Sequence, residues 1–249
     1  MSSLQAPRHW IWTVIALSLW QASPAFPFDH TYRALDDSVL APFVIEGGVD
    51  YAALALRRAS LDRFLADCAE VSFEEYRTFT RSEQMAFLIN LYNAATLQLV
   101  LDRRPARSMR DLGGLFRSPW AIRFISLFGR RVSLGNILHD VLRPEFEDPR
   151  VHFALCNASR GSPALASEPY RAETLEEQLD ACARVYMLER PEMNRWDGET
   201  LYLSPLFKWY SNDFGKTPGV RVFARKYFPD VTERAPIRYT DWDWSLNSR

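Results

Sequence analysis

The chain has 249 residues, a formal net charge of −1, 47% hydrophobic and 14% aromatic residues. This apolar content excludes an intrinsically disordered protein, and the near balance of acidic and basic residues argues against nucleic acid or another polyanion as a partner. Three cysteines exclude a disulfide framework and allow one disulfide at most.

The first 25 residues have the three parts of a secretory signal peptide. A short basic region precedes the apolar run Trp10–Trp20, and small residues follow it. This run is shorter than the roughly 20 apolar residues of a membrane-spanning helix, and no later stretch of the sequence approaches that length. We predict cleavage after Ala25, a periplasmic or secreted mature chain of residues 26–249 and no membrane contact after cleavage.

Helices and a turn are predicted at the start of the mature chain. Residues 32–44 have a helical pattern, and Gly47-Gly48 is typical of a turn. Ser60 is the expected cap of a short helix that ends at Cys68. Cys68 and Cys182 both continue apolar helical stripes, which indicates small core side chains.

The strongest helix signal begins at Thr80. Thr80 and Glu83 have capping-box spacing, and the run Met85–Leu97 that follows is apolar on almost all sides. Such a helix is expected at the centre of a domain. Asn90 and Asn93 interrupt the run and share a face. These two amides either tie neighbouring loops to the helix or line a ligand pocket.

A loop and a hairpin are predicted next. Residues 103–119 are expected to form a loop, and residues 122–128 and 131–134 a hairpin around Gly129-Arg130. Ser133 is the expected cap of a helix that stops at Pro144.

The second half of the chain alternates short strands and helices. Residues 151–156 are predicted to form a strand with His152, Ala154 and Cys156 on one face. Thr174 to Glu177 is a second capping-box pattern, for a helix to about Leu188. A strand at 201–203 and a helix at 220–227 follow. The sum is an α+β fold, a helix-rich single domain with a small β-sheet.

The polar loop Asn157–Pro163 is the most promising place for a site, because loops that leave buried elements often carry function. Its candidates are Asn157 and Ser159 as ligand-binding residues, and Ser162 as a nucleophile. A serine hydroxyl needs a base, for which His152 and His139 are the candidates. A serine that precedes a proline is also ordinary turn chemistry.

Two arginines flank this loop. Arg150 and Arg143 are able to bind a carboxylate or phosphate group, but ordinary pairing with Asp140, Glu145 or Asp148 is the favoured interpretation. The sequence has no phosphate-binding loop, no dinucleotide-binding motif and no zinc-ligand spacing. No cofactor and no metal are therefore predicted.

Several ordered motifs make the chain resemble the domain-of-unknown-function 547 family, which is found in exported bacterial proteins. The resemblance covers nearly all of residues 28–247, and it implies no reaction because no activity is established for the family. The matching stretches are Gly48–Tyr51, Ala86–Ala94, Ser133–Arg143, Asp148–Leu155, Leu203–Tyr210 with Asp213-Phe214, and Asp243–Asn247.

The chain departs from the family pattern at three positions. Asn157 and Ser162 stand where cysteines are usual, and Leu138 replaces a glutamate before His139. If relatives use those thiols or that Glu-His pair, this protein has lost or altered their activity. The departures disfavour a redox role.

Three functions remain open. The first is a binding or accessory module for a small-molecule or peptide ligand, held between the 157–162 loop and the Asn90/Asn93 helix. The second is a hydrolase or acyl-transfer enzyme that uses Ser162 with a histidine base. The third is a structural or partner-binding protein with an interface near Trp209 and Trp242, although dense aromatic residues are expected in the core. The sequence does not predict an oligomeric state.

Overall fold

The fold is built around one long helix, Arg81–Arg103, in a computed structural model that describes residues 27–105, 107–113 and 118–249. The predicted signal peptide, residues 1–25, lies outside the described residues. The capping box is formed as predicted: Thr80 Oγ1 accepts from the Glu83 N–H at 3.3 Å, and Glu83 Oε2 accepts from the Thr80 N–H at 2.6 Å.

The central helix is a core helix. Every residue from Met85 to Leu97 is buried. Contrary to the sequence-based expectation, this helix is long and apolar enough to cross a membrane by length and composition. However, 89% of its most apolar window is buried inside the protein. Its apolar surface is therefore covered by the other elements of the fold.

Short helices precede the central helix and pack against it. The predicted helix at 32–44 is confirmed as three consecutive segments, the middle one a π-helix. The helix predicted to end at Cys68 is Ala59–Glu70, but Ser60 is not its cap: Ser60 lies inside the helix, and Arg58 holds the N-cap position. The segments before the central helix are Arg33–Leu35, Asp36–Leu40, Ala41–Phe43, Tyr51–Leu56, Ala59–Glu70 and Phe73–Tyr76.

The remaining helices follow the central helix in the chain. Three are single 3-10 turns: Met109–Leu112, Pro119–Ala121 and Ala172–Thr174. The others are Leu134–Asn136, the π-helix Ile137–Leu142, Arg143–Phe146, Val151–Ala154, Leu175–Leu188, Leu206–Trp209 and Lys216–Arg225.

The strands form three small sheets among the described residues. Val44–Ile45 pairs antiparallel with Gly48–Val49, and Ile125–Leu127 pairs antiparallel with Arg130–Val132. In the third sheet, Leu201–Leu203 lies between an antiparallel Arg195–Trp196 and a parallel Ile237–Tyr239. The helix-rich α+β single domain with small sheets is thus confirmed.

The last residues of the chain form a strap along the predicted site loop. Ser159 and Leu246 form an antiparallel bridge. The N–H groups of Arg160 and Gly161 donate to the carbonyl groups of Ser245 and Asp243, each at 2.8 Å. The loop is therefore held in place by residues that lie about eighty positions later in the sequence.

The predicted strand at 151–156 is wrong. Val151–Ala154 is a short helix, and all six residues from 151 to 156 are buried, so the polar and apolar faces do not alternate. Asp148 accepts from the Arg150 N–H at 2.8 Å in the turn before the helix, and Arg150 holds the N-cap position without a capping bond from its side chain. The expected common face of His152 and Cys156 is not formed.

Two predicted helix ends also differ. The helix capped by Ser133 continues past Pro144 to Phe146. In the π-helical segment before Pro144, the Arg143 N–H donates to the Leu138 carbonyl, five residues earlier in the chain. Thr174 precedes the predicted helix, but its side chain forms no capping bond and contacts Gln178 instead.

Candidate functional site

The buried imidazole of His152 is the centre of the site. The short helix after Pro149 places it inside the protein, where it is 3% exposed. Its Nε2 lies 2.6 Å from Asp213 Oδ2. Its ring stacks on Tyr210, with 4.0 Å between centroids and 19° between planes. The imidazole is thus fixed by one polar contact and one aromatic face.

Asp213 joins His152 to Arg143. The guanidinium of Arg143 donates two bonds to this carboxylate, Nε to Oδ2 at 2.6 Å and Nη2 to Oδ1 at 2.7 Å. Burial alone would raise the pKa of Asp213, but the hydrogen bonds from His152 and Arg143 hold it well below its usual range. Asp213 therefore carries its negative charge at every physiological pH.

The same arginine contacts His139. Arg143 Nη1 lies 2.9 Å from His139 Nδ1. Because a guanidinium only donates, this ring nitrogen must be an acceptor. Burial and the charge of Arg143 lower the pKa of His139, consistent with a neutral imidazole. His139 is exposed and belongs to the outer end of the network.

The hydrogen-bond pattern assigns the tautomer of His152. Burial lowers the pKa of His152, against the opposing effect of Asp213, so the ring is neutral at pH 7. A neutral ring beside a carboxylate places its proton on Nε2. Its Nδ1 then carries a lone pair, and none of the described residues donates to it. Nδ1 of His152 can therefore accept a proton or a hydrogen bond.

A small pocket lies against this imidazole. It has a volume of about 50 Å³, which is room for one or two waters or a single functional group. Polar groups of the 157–162 loop and aromatic rings share its wall. The lining residues are Tyr92, Leu138, His152, Leu155, Asn157, Ser162, Pro163, Leu206, Trp209, Tyr210 and Trp242.

Ser162 lines the pocket but does not contact an imidazole. Its Oγ accepts from the Asn157 N–H and donates to the Pro163 carbonyl, each at 3.0 Å. The side chain is 2% exposed. The structure therefore forms the turn interactions and does not form the nucleophile–base contact with His152 or His139.

Asn157 and Ser159 organise the loop. Asn157 Oδ1 accepts from the N–H and the hydroxyl of Ser159, at 3.1 and 2.6 Å. Ser159 Oγ in turn accepts from the Trp242 indole N–H at 2.9 Å. Among the predicted ligand-binding residues, Asn157 alone lines the pocket, and Ser159 acts by holding Trp242 beside it.

Asn90 and Asn93 tie two distant segments to the central helix. Asn90 exchanges hydrogen bonds with the backbone of Tyr170, at 2.8 and 2.9 Å. Asn93 donates to the Ala154 carbonyl and accepts from the Cys156 N–H, each at 2.9 Å. Neither asparagine lines the pocket at His152. Asn93 instead fixes the end of the helix that carries His152.

The guanidinium of Arg150 forms ion pairs with three carboxylates. It contacts Asp148, Glu176 and Asp180 at 2.6 to 2.8 Å. The expected pairing with Asp148 is confirmed, and Arg150 lies outside the pocket. Arg143 pairs with Asp213, a residue that was not among its expected partners.

Asp213 and Tyr210 are site residues that were not predicted from the sequence, although both lie in a stretch that carries the family resemblance.

The expectation that the nearby tryptophans fill the core is wrong for Trp209, which is 46% exposed. Trp242 is partly exposed and lines the pocket. No group of three or more potential metal ligands occurs in the part of the chain that the structure describes.

Comparison with known proteins gives one match. Residues 76–187 match the sequence model of a family described as "Protein of unknown function, DUF547". The matched range includes the central helix, His139, His152 and the 157–162 loop. The motifs at 48–51, 203–214 and 243–247 lie outside it. No curated protein and no solved structure matches the chain.

Proposed function

We propose that this chain, whose residues 76–187 belong to the DUF547 family, is a binding protein whose pocket at His152 accepts a neutral hydrogen-bond donor of a small-molecule or peptide ligand. The observation that carries the proposal is the 2.6 Å contact of His152 Nε2 with Asp213, which leaves Nδ1 without a donor among the described residues, on a side chain that lines the pocket.

Size and charge define what enters the pocket. A volume of about 50 Å³ admits a hydroxyl, amide or similar group at the end of a ligand. The lone pair of Nδ1 attracts an N–H or O–H donor and repels the lone pairs of a carboxylate. Selection for neutral donors follows.

Acetamide and acetate test this selection because they have nearly the same shape. In NMR titrations of the 26–249 chain, we expect acetamide to shift the His152 and Trp242 ring resonances saturably at millimolar concentrations, and acetate not to do so. His152→Phe keeps an aromatic ring and removes the acceptor, so it should abolish the acetamide shifts. Equal responses to both compounds, or none, would contradict the proposal.

A second candidate function is hydrolysis with His152 as general base, favoured by the orientation that Asp213 imposes on the imidazole. Water would attack an acyl carbon and pass its proton to His152 Nδ1; as the acyl C–O bond breaks, the imidazolium would return a proton to the leaving oxygen, which departs as an alcohol. With p-nitrophenyl acetate, His152→Gln should lower the rate about 100-fold or more. Ser162→Ala should leave it unchanged if water attacks, whereas loss of activity would restore Ser162 as the nucleophile. An unchanged rate in His152→Gln excludes this function.

Export is the remaining part of the proposal. It rests on the pattern of residues 1–25 alone. Expression of the full chain in a bacterium with an outer membrane should yield a periplasmic protein with N-terminal Phe26. A cytoplasmic protein that retains residues 1–25 would refute it.

A further inference from the structure

A wide groove adjoins the pocket at Trp242. It has a volume of about 710 Å³, within the roughly 300–1,000 Å³ range of small-molecule sites. Trp242 lines both the groove and the pocket at His152. The groove and the pocket therefore meet at Trp242.

The groove carries both signs of charge in equal number. Its basic side chains are Arg160, Arg190 and Arg195, and its acidic ones are Glu192, Asp241 and Asp243. This balance disfavours a polyanion, which would meet three carboxylates. An apolar chain is also disfavoured, because it would remove water from these charged groups, although Arg190 is already paired with Glu192. The groove is thus suited to a neutral ligand with many hydroxyl groups.

Aromatic rings complete the surface. Arg195 lies 3.9 Å above the ring of Tyr202, and both residues line the groove. Trp242, which also lines it, forms a cluster with Trp209 and Trp244, with ring centroids 4.8 to 5.8 Å apart. The neighbouring rings restrain Trp209 while 46% of it stays exposed. Part of the Trp209 indole is therefore exposed to solvent, on a residue that also lines the pocket.

We propose that the groove and the tryptophan cluster bind a neutral oligosaccharide, with the end sugar directed to the pocket at His152. The C–H face of a pyranose ring packs on an indole face, and its hydroxyl groups point sideways to carboxylates and guanidinium groups, which exchange hydrogen bonds with them. The inference rests on the proposed function, because the pocket supplies the acceptor for the terminal hydroxyl group.

The test uses cellohexaose, xylohexaose and chitohexaose, with glucose and hexagalacturonate as comparisons. We expect at least one neutral hexaose to bind the 26–249 chain at least tenfold more tightly than glucose and hexagalacturonate, by calorimetry and tryptophan fluorescence. Trp209→Ala should weaken this binding at least tenfold. Phe73→Ala is the matched control, since Phe73 is 51% exposed and does not line the groove or the pocket; it should stay within twofold.

Three outcomes would overturn the inference: no neutral hexaose binds at 10 mM, hexagalacturonate binds best, or Trp209→Ala binds as tightly as the unchanged protein.

The acetamide titration distinguishes failure of the oligosaccharide inference from failure of the proposed function of the pocket. If acetamide still shifts His152 while no hexaose binds, the pocket stands and the oligosaccharide is refuted. If a hexaose binds through Trp209 and His152→Phe has no effect, the groove stands and the role of His152 is refuted.

Discussion

Asp213→Asn is expected to lower the free energy of unfolding by about 2–3 kcal/mol at pH 7. The substitution keeps the shape of the side chain but removes the charge that binds Arg143 through two hydrogen bonds and His152 through one. The guanidinium would then stay partly buried without its counter-charge. We place the loss below the 3–5 kcal/mol of a fully buried pair because the Asp213 side chain is 20% exposed.

Urea unfolding measures this loss, and Asp140→Asn is its control. Asp140 is an exposed carboxylate on the helical segment that carries His139, and it contacts Asn136. Its substitution should change the free energy of unfolding by less than about 0.5 kcal/mol. An Asp213→Asn variant as stable as Asp140→Asn would show that the Arg143–Asp213–His152 network does not hold the site together.

Asn93→Ala is expected to cost about 3 kcal/mol of stability. The change leaves the Ala154 carbonyl and the Cys156 N–H without their partner in the interior, and it opens a cavity beside the central helix. Because these two groups end the helix of His152, we also expect acetamide binding to weaken. Urea unfolding and the NMR titration measure the two effects.

Asn212→Ala is the matched control for Asn93→Ala. Asn212 is exposed, and its side chain makes no hydrogen bond to any described residue. Its substitution should stay within about 0.5 kcal/mol of the unchanged protein. If Asn93→Ala behaves like this control, the asparagine is not a structural tie, and its role as a ligand-binding residue regains support.

Local signals predicted the central helix correctly. The Thr80–Glu83 box and the apolar run act within a few residues of each other, so the sequence pattern contains the whole cause of the element. The hairpin was also predicted, but with its turn one residue too late. The two-residue turn is Phe128-Gly129, both with positive φ, at 51° and 70°, and Arg130 belongs to the second strand.

The error at residues 151–156 shows where pattern reasoning failed. A short apolar run is compatible with a buried strand or a buried helix. Asp148-Pro149 is a turn signal, and Asp148 accepts from the Arg150 N–H in the turn just before the helix. A strand that begins at Val151 ignores this turn and separates His152 from its true environment.

The site itself was only partly predictable. His152, Asn157 and Ser162 were identified because they are close in sequence, and all three line the pocket. Asp213 lies 61 residues after His152, and Trp242 lies 83 residues after Ser159. Contacts over such separations depend on how the helices and the C-terminal strap pack, which no local pattern contains.

The central claim is that burial keeps His152 neutral and that Asp213 holds its proton on Nε2. A pH titration of the imidazole groups by long-range 1H–15N NMR tests it directly, with His152→Gln to assign the signal among the three histidines that follow residue 25. The structure predicts an Nε2–H tautomer, a pKa below the ordinary 6.5, and a further decrease in that pKa in Asp213→Asn. A pKa at or above 6.5, or a proton on Nδ1, would contradict the proposed acceptor.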